Sequence, residues 1–419
     1  MSALYLYDDA RARTFEPFAS TRPISEMVAG TALIRERWTT ALQPGAGDVF
    51  SIAGARHRDF DEDGAARPAE GRIPSGSILV NARCVPALPR DVRSLQQRTA
   101  TSTMWRCGNH LAAVRVKEPI DVAAFEDGSI TLDELAAGTG ALASVDGWWL
   151  DEVWDFIRLL PEQLTRDIEA YGAVDDRPEH ARALPAHVIV LGEHRVIVHE
   201  GVEIEPHVVL DASDGPIRLA RGAHIRAFTR ITGPCAIGRS VQVMGGDITG
   251  CSIGDVCKVR GELSNTIFLG HANKGHDGFV GHSYLGRWVN LGASTVTSNL
   301  KNTYGTVALW TPAGIRDSGM QFLGTMFGDH VKTGIGLRLT TGTVLGAGAN
   351  VYGNMPPKVV APFSWGDGPP YSTYRADKFV ETAARMMSRR HVELTDRARR
   401  HLMSVHAGRW TVEQDGGDT

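Results

Sequence analysis

Aliphatic residues recur every six positions in the middle of this chain. Leu219, Ile225, Ile231, Ile237 and Val243 keep this step without a break, and shorter runs continue it to position 351. A period of six fits neither the turn of an α-helix nor the two-residue alternation of a strand. It is typical of the hexapeptide repeat of a parallel β-helix, in which each hexad supplies one short strand and one turn. The alternative, an ordinary β-sandwich, would show alternation and hairpin turns instead.

Glycine is concentrated in the same region. The chain has 419 residues and 46 glycines, of which 30 lie in residues 181–368. A flexible linker can also be rich in glycine, but it has no reason to keep aliphatic residues in phase. Glycine directly follows the aliphatic residue in Ile237-Gly238 and Ile253-Gly254, where the crowded corner of a coil favours a small residue. Such hexads resemble those of left-handed β-helices, and we expect that fold over residues 185–365.

Segments of different character flank the repeats. Residues 1–180 mix strand-like and helix-like patterns and predict an α/β domain, joined to the repeats by a linker over residues 173–187. Residues 371–410 predict a helical extension that packs on the last coil. In the first segment we expect strands at Leu4–Tyr7, Ser77–Val80 and Leu111–Val116, and helices at Ile24–Leu42 and Val153–Tyr171.

Charge and composition exclude several classes of function. The net charge of −4 does not provide the basic surface that nucleic-acid binding needs. No apolar run approaches the ~18 residues of a membrane span, and the first residues lack the pattern of a signal peptide. The five cysteines form neither a C-x-x-C pair nor a regular disulfide framework. We therefore expect a reduced, cytoplasmic protein that binds neither nucleic acid nor membrane.

One stretch of the repeats carries a specific motif. Residues 275–299 read GHDGFVGHSYLGRWVNLGASTVTSN. This resembles the acetyltransferase half of the bifunctional N-acetylglucosamine-1-phosphate uridylyltransferase/glucosamine-1-phosphate N-acetyltransferase family, which carries G-H-x-x-Y-x-G and then N-I-G-A-G-T-x-T-x-N at this spacing. Residues 273–302 are also similar to a divergent bacterial branch of that family. The resemblance implies acetyl transfer from acetyl-CoA to the amine of an amino-sugar 1-phosphate, in a homotrimer with acetyl-CoA bound between neighbouring β-helices.

The resemblance also implies roles for single residues. His276 matches the catalytic base, and an imidazole suits this role because its ordinary pKa lies near neutrality. Glu262 matches a family glutamate near the base. Asn290 and Asn299 match asparagines that contact the sugar or the base. The backbone N–H of Ala293 matches one that faces the thioester carbonyl.

Two positions depart from the family pattern. Phe279 stands where the family has a tyrosine, and Ser264 stands where a lysine or arginine holds the sugar phosphate. Because phosphate recognition normally uses a cation, we predict that Lys258 and Arg260 replace it. Both should point the same way as Glu262 on one strand. The departures leave open another acceptor amine, or no acetyl transfer at all.

Three further cations fall in the last coils, where family members bind the phosphates of acetyl-CoA between subunits. They are candidates for that role, with ordinary surface charge as the alternative. These residues are Lys332, Arg338 and Lys358.

The N-terminal segment is similar to nucleotidyltransferases that make sugar nucleotides, which hold nucleotide phosphates with a glycine-rich loop and a lysine. Here Pro23-Ile24 and the segment from Gly30 to Ile34 are similar to the family segment that carries this lysine. The glycine-rich loop is missing. The resemblance implies uridylyl transfer with UTP, and an inactive domain is the alternative. The candidate nucleotide-binding residues are Arg13, Arg22, Asn81 and Arg83. Asp8 and Asp9 stand near the missing loop and are predicted to hold Mg²⁺, since acids there would otherwise repel phosphates.

Two other functions stay open. His271, His276 and His282 have a spacing that suits a zinc site of the γ-carbonic anhydrase type, built on the same fold with one histidine from a neighbouring chain. A catalytically retired trimeric scaffold that binds sugar nucleotides would explain the lost glycine loop, Phe279 and Ser264.

Overall fold

The computed structural model describes residues 2–45, 47–88, 102–136, 140–174, 184–353 and 355–412. The predicted linker over residues 173–187 therefore lies mostly outside the described residues. None of the helices in the described part of the chain is both long and apolar enough to cross a membrane.

The first part of the chain is an α/β domain. Its strands are β1 (Leu4–Tyr7), β2 (Val28–Ala29), β3 (Ala32–Leu33), β4 (Val49–Ile52), β5 (Arg67–Pro68), β6 (Arg72–Ile73), β7 (Ile78–Asn81), β8 (Cys84–Pro86), β9 (Met104–Cys107), β10 (His110–Arg115), β11 (Ile120–Asp121), β12 (Leu142–Ser144) and β13 (Gly147–Trp149). Its helices are α1 (Ile34–Leu42), α2 (Leu132–Leu135), α3 (Asp155–Arg158) and α4 (Leu160–Val174). Seven strands form one sheet in the order β12-β9-β10-β7-β1-β4-β5. β1 is parallel to both of its neighbours, and all four of its side chains are buried.

The helix predicted over Ile24–Leu42 was wrong in its first half. Only α1 is helical there, and the residues before it form a short 3-10 turn and the hairpin of β2 and β3. Gly30 makes the turn of this hairpin with φ +61°, where a Cβ atom would lie 2.3 Å from the Asp167 carboxylate. The positive φ and the close neighbours require glycine at position 30. The turn that this glycine makes interrupts the predicted helix.

The second part is a parallel β-helix, and the fold class predicted from the hexads is confirmed. Face 1 contains β14 (Ile189–Leu191), β17 (Val209–Asp211), β20 (Thr229–Thr232), the second halves of β22 (Gln242–Thr249) and β24 (Lys258–Ser264), β27 (Phe279–Gly281), β29 (Val296–Thr297) and β34 (Arg338–Leu339). Face 2 contains β15 (Val196–Val198), β18 (Ile217–Leu219), β21 (Cys235–Ile237), β23 (Ser252–Ile253), β25 (Ile267–Phe268), β28 (Tyr284–Leu285), β32 (Met326–Phe327), β35 (Val344–Leu345) and β37 (Val359–Val360). Face 3 contains β16 (Glu203–Ile204), β19 (His224–Ile225), the first halves of β22 and β24, β26 (Asn273–Lys274), β33 (Lys332–Thr333), β36 (Asn350–Val351) and β38 (Ser364–Gly366).

The corner between faces 2 and 3 has a repeated backbone conformation. One residue there has a positive φ in each successive coil, namely Gly201, Gly222, Ser240, Val256, His271, Trp288, His330, Gly348 and Phe363. L-residues rarely adopt this region, whereas glycine enters it without a steric penalty. The glycine excess of the repeats thus arises partly from the geometry of the corners.

The α/β domain docks on face 2. Outward residues of this face, such as Ile267, Tyr284 and Met326, are buried in one core with residues of the domain. The Tyr284 hydroxyl donates to the Val28 carbonyl at 3.0 Å and accepts from the Val28 N–H at 2.9 Å. Among the residues that the structure describes, the α/β domain therefore packs on face 2 and leaves faces 1 and 3 uncovered.

A buried ion-pair network crosses this contact. The Arg22 guanidinium, 2% exposed, donates to Asp329 at 2.9 Å and to both carboxylate oxygens of Glu62 at 3.0 and 2.8 Å. Arg287 of the β-helix also donates to Glu62, at 2.8 Å. The network joins two residues of the α/β domain to two of the β-helix.

Two added segments pack around this contact. The long coil after β29 carries an antiparallel hairpin of β30 (Ala308–Thr311) and β31 (Gly314–Asp317), with Val307 and Leu309 buried in the shared core. After the short strand β39 (Ser372–Thr373), helices α5 (Ala376–Ser388) and α6 (Asp396–Ala407) form a small core with Phe363 of the last coil, as predicted. α6 also reaches the α/β domain, where His401 bonds the Thr21 carbonyl at 2.7 Å.

Candidate functional sites

The histidine motif lies at the corner where face 3 turns into face 1, called here the 3–1 corner. His276 is exposed on the loop between β26 and β27. Ala293 lies on the equivalent loop of the next coil, and the two loops are joined by the Ser294 N–H, which donates to the Asp277 carbonyl at 3.0 Å. The structure thus brings the predicted base and the predicted oxyanion donor to adjacent loops. Among the described residues, none accepts a hydrogen bond from the Ala293 N–H.

Lys274 supports the His276 loop from inside the β-helix. Its side chain is 2% exposed and occupies an inward position, in register with Val259. Its ammonium donates to the Arg260 carbonyl at 2.9 Å and to the His276 carbonyl. Burial lowers the pKa of Lys274 to about 8. Lys274 was not among the predicted site residues, although a lysine at a hexad position normally taken by an aliphatic residue was the available signal.

Glu262 and Phe279 are neighbours on face 1. They are paired across β24 and β27, and Glu262 is exposed. The Phe279 ring folds over Gly281, where an added Cβ atom would lie 2.4 Å from the ring and 2.6 Å from the Asn299 amide nitrogen. Glycine at 281 thus lets Phe279 and Asn299 approach each other. Glu262 and Phe279 therefore lie side by side on face 1, and Asn299 approaches Phe279 from the other end of this face.

Asn299 is held by His282. The Asn299 amide nitrogen lies 2.9 Å from His282 Nδ1, and the imidazole stacks on Phe322. Burial lowers the pKa of His282 to about 4, so its ring is neutral near neutral pH. A neutral ring with the proton on Nε2 leaves Nδ1 free to accept from the amide. His282 was predicted only as a zinc ligand, and its contact with Asn299 had no local sequence signal.

Lys258 and Glu262 lie on different faces, contrary to the expectation that they point the same way. β24 crosses the 3–1 corner, where β22 has a bulge and their register shifts, and Lys258 pairs with Asn273 on face 3 while Glu262 pairs with Phe279 on face 1. Simple alternation does not hold across such an irregularity. Arg260 lies at the corner itself, where it forms an exposed ion pair with Asp277 at 2.9 Å.

Face 3 presents a column of polar residues. Asn273, Asn290 and Lys332 are stacked in successive coils, and the Asn273 amide donates to Asn290 at 2.8 Å. Burial lowers the pKa of Lys332 to about 8. The other two predicted acetyl-CoA cations are exposed elsewhere, with Arg338 paired to Val296 on face 1 and Lys358 beside face 2. One chain therefore does not gather the three cations into one site.

The three histidines of the zinc alternative do not meet within one chain. His271 lies at the corner between faces 2 and 3, His276 at the 3–1 corner, and His282 at the corner between faces 1 and 2. Across the described residues, no three His, Cys, Asp or Glu side chains are placed to hold a metal ion.

In the α/β domain, Asp9, Asn81 and Arg83 come together as a second candidate site. They follow β1 and β7, which are adjacent and parallel. Arg83 Nη2 donates to the Asp9 carboxylate at 2.9 Å, and Asn81 donates to it at 2.8 Å. The sheet order reverses between β1 and β7, which is where open α/β sheets bind ligands.

The other predicted residues of this domain have structural partners. Arg13 donates to the backbone carbonyls of Asp8 and Phe125, each at 2.9 Å, and Arg22 lies in the buried network with Asp329. Neither guanidinium is placed to meet a nucleotide phosphate without leaving these partners. This geometry does not fit the nucleotide-binding role predicted for Arg13 and Arg22, and the partners Phe125 and Asp329 are distant in sequence.

The predicted magnesium ligands do not fit a Mg²⁺ site as the structure places them. Asp8 is 2% exposed and accepts the Ile24 N–H at 2.9 Å, and burial raises its pKa to about 7. The Asp9 carboxylate is already paired with Arg83. A hard divalent cation needs ionised oxygen ligands that are open to it.

An interdomain cleft of about 1440 Å³ contains one residue of the zinc alternative, His271, and none of the residues predicted for acetyl or uridylyl transfer. It lies between the α/β domain, face 2 and the C-terminal helices, and its walls include Phe60, Arg239, Trp288 and His391.

The fold and the two sites define a class of protein: an α/β domain docked on a hexapeptide-repeat β-helix that carries an exposed histidine loop. Residues 4–173 match the family described as sugar nucleotidyl transferase, so the resemblance seen in the N-terminal sequence is confirmed. A curated bifunctional sugar-1-phosphate nucleotidylyltransferase/acetyltransferase from Sulfurisphaera tokodaii is 31% identical over 91 residues. These residues span 22% of this chain and 23% of that relative.

Solved structures of sugar acyltransferases are also similar. A mutant of the N-acyltransferase AntD from Bacillus cereus, in complex with dTDP-4-amino-4,6-dideoxyglucose and coenzyme A, is 14% identical with a TM-score of 0.23, and the match covers 48% of this chain and 92% of that one. The UDP-N-acetylglucosamine acyltransferase from Campylobacter jejuni is 13% identical with a TM-score of 0.19, covering 54% of this chain and 97% of that one. Likeness at this level says nothing about the activity of this chain.

Proposed function

We propose that the 3–1 corner catalyses acetyl transfer from acetyl-CoA to the amine of an amino-sugar 1-phosphate such as glucosamine 1-phosphate. The observation that carries the proposal is the exposed imidazole of His276 on a loop adjacent to the unused N–H of Ala293. A base and an oxyanion donor are the two groups that acyl transfer to an amine needs.

The reaction follows from these two groups. The amine nitrogen attacks the thioester carbonyl carbon, while His276 accepts the proton that the nitrogen loses. The Ala293 N–H donates to the oxygen that becomes negative. The carbon–sulfur bond then breaks, which gives the amide and releases coenzyme A as a thiolate that takes up a proton. Glu262 and Asn299 orient the sugar on face 1 beside Phe279.

We further propose that the working unit is a homotrimer. The α/β domain covers face 2, so neighbouring chains must meet through faces 1 and 3. Exposed apolar side chains mark the 3–1 corner in several coils, with Phe228 77% and Ile335 79% exposed. A partner chain would cover them and bring a second wall to the acetyl-CoA site, where Lys332, Arg338 and Lys358 supply phosphate contacts. Light scattering tests this, and a stable monomer would contradict it.

Calorimetry with acetyl-CoA separates this function from a retired scaffold. We expect saturable binding, with about one acetyl-CoA per chain. A scaffold that binds only sugar nucleotides would release no heat with acetyl-CoA. This result would contradict acetyl transfer and would favour the scaffold.

Binding of the sugar phosphate should depend on Lys258 and Arg260. Replacing both by alanine should raise the KM for glucosamine 1-phosphate on the order of tenfold, since a hydrogen bond to a charged group is worth about 1.5–3 kcal/mol. The KM for acetyl-CoA should stay unchanged. Arg226→Ala, an exposed arginine in an earlier coil, is the matched control. An unchanged phosphosugar KM in the double variant would contradict this role.

Lys274 should act as a positioning residue. In Lys274→Met the His276 carbonyl loses its tether, so we expect kcat to fall about tenfold or more while both KM values stay within about twofold. The thermal midpoint should not fall, because methionine fills the same apolar position. Lys378→Met, on the exposed face of α5, is the control. A wild-type kcat in Lys274→Met would show that the His276 loop keeps its conformation without the Lys274 hydrogen bond.

A second candidate function, uridylyl transfer to a sugar 1-phosphate in the α/β domain, is favoured by the match of residues 4–173. Coupled to acetyl transfer, it would give a UDP-sugar. The test is release of pyrophosphate from UTP and N-acetylglucosamine 1-phosphate with Mg²⁺. The candidate residues for binding the phosphates are Asn81 and Arg83, which lie beside Asp9.

A further inference from the structure

Three donors converge on the carboxylate of Asp9. The Ala12 N–H donates at 2.8 Å, the Asn81 amide donates at 2.8 Å, and Arg83 donates through Nη2 at 2.9 Å and through Nε at 3.0 Å. The Asp9 carboxylate is therefore held by one donor from its own loop and by two residues from the end of the neighbouring strand β7.

This donor set has the composition of an oxyanion site. A guanidinium, an amide and a backbone N–H that point at one spot are groups that bind phosphate in proteins. The spot also lies at the carboxyl ends of β1 and β7, where the sheet order reverses.

Arg83 is held in place by contacts other than Asp9. Its Nη1 donates to the Leu150 carbonyl at 3.2 Å, and the guanidinium lies 4.7 Å from the centre of the Trp149 ring. The Asp9 and Arg83 side chains are 16% and 14% exposed, so the pair lies near the surface and a small anion can reach it. If Asp9 left, Arg83 would remain aimed at the same spot.

We propose that Ala12, Asn81 and Arg83 form an oxyanion site that Asp9 fills in the free protein, so that a phosphate group binds only when Asp9 is displaced. This explains why the pair does not fit a magnesium site: Asp9 serves as an internal anion rather than as a metal ligand. The domain can then carry the fold of a nucleotidyltransferase while its phosphate site is closed. The proposal does not depend on acetyl transfer at the 3–1 corner.

The test is calorimetric titration of the full-length protein with inorganic pyrophosphate, without acetyl-CoA or amine, so that its result is independent of acetyl transfer. Asp9→Ala should bind pyrophosphate at least tenfold more tightly than the wild type. Adding Arg83→Gln to Asp9→Ala should return binding to the wild-type level. Equal binding by Asp9→Ala and the wild type, or tight binding that survives loss of Arg83, would overturn the proposal.

Asp9→Asn keeps the test decisive if Asp9→Ala does not fold. The amide has the shape of the carboxylate but lacks its charge, so it should compete less with pyrophosphate, and the variant should also bind more tightly than the wild type. Titration of the Asp9 variant that binds pyrophosphate more tightly, with UTP and with glucosamine 1-phosphate, shows whether the site prefers a nucleotide or a free sugar phosphate. Pyrophosphate binding by Asp9→Asn at the wild-type level would again overturn the proposal.

Discussion

His276→Ala is expected to lose acetyl transfer while the protein stays folded. A positioned general base contributes roughly a hundredfold to ten-thousandfold to the rate, so kcat should fall by a factor in that range. The KM values should change little, since the imidazole acts on a proton rather than on the phosphate or on coenzyme A. Because His276 is exposed, its loss should leave the thermal midpoint unchanged.

A matched control separates this effect from the loss of any surface histidine. His194 is exposed in the first coil and donates its backbone N–H to the Ala212 carbonyl at 3.2 Å, so His194→Ala should retain the wild-type kcat. A His276→Ala variant with wild-type kcat would place the base elsewhere and would remove the main support for the proposed mechanism.

Arg22→Met is expected to be the most destabilising single change among those considered. Arg22 is buried between Glu62 and Asp329, and its removal leaves Asp329, 4% exposed, without a guanidinium partner. Breaking a buried ion pair from one side costs about 3–5 kcal/mol. The thermal midpoint should fall by about 5 °C or more. Arg239→Met is the control, because its ion pair with Asp255 is on the surface and the arginine is 73% exposed. This variant should cost less than about 1 kcal/mol.

The same network predicts how stability depends on pH. Burial alone would raise the pKa of Glu62, but the charges of Arg22 and Arg287 outweigh it and lower that pKa to about 2. A carboxylate whose pKa is lower in the folded state stabilises the protein above its ordinary pKa of 4.5, and this contribution is lost as the pH falls from there towards 2. Thermal midpoints measured across this range should fall less steeply for Arg22→Met than for the wild type. Parallel curves would show that the network does not contribute in the expected way.

The sequence predicted the parts of the fold and site that are encoded locally. Hexads repeat every six residues, so a few aliphatic positions were enough to identify the β-helix. His276 and Ala293 lie within one contiguous motif, and the structure places them on adjacent loops. Asn81 and Arg83 were candidates because they follow a predicted strand, whereas their contact with Asp9, which was predicted as a magnesium ligand, was not expected.

Other features depend on contacts between distant residues, which a local pattern does not contain. Arg22 and Asp329 are 307 positions apart, so nothing in the local sequence around Arg22 indicates that its guanidinium is already paired. The docking of the α/β domain on face 2 was missed for the same reason. Lys258 and Glu262 were expected to share a face because strict alternation was assumed, whereas β24 turns the corner between them, beside a bulge in β22.

The proposed function requires that this protein acetylates an amino-sugar phosphate at the 3–1 corner. The most direct measurement is turnover of the wild-type protein with acetyl-CoA and glucosamine 1-phosphate, with free thiol followed by a colorimetric reagent and the sugar product by mass spectrometry. The proposed function predicts one thiol released for each N-acetylated sugar, at a rate that saturates with both substrates. Folded protein that binds both compounds but releases no thiol above the uncatalysed rate would contradict it.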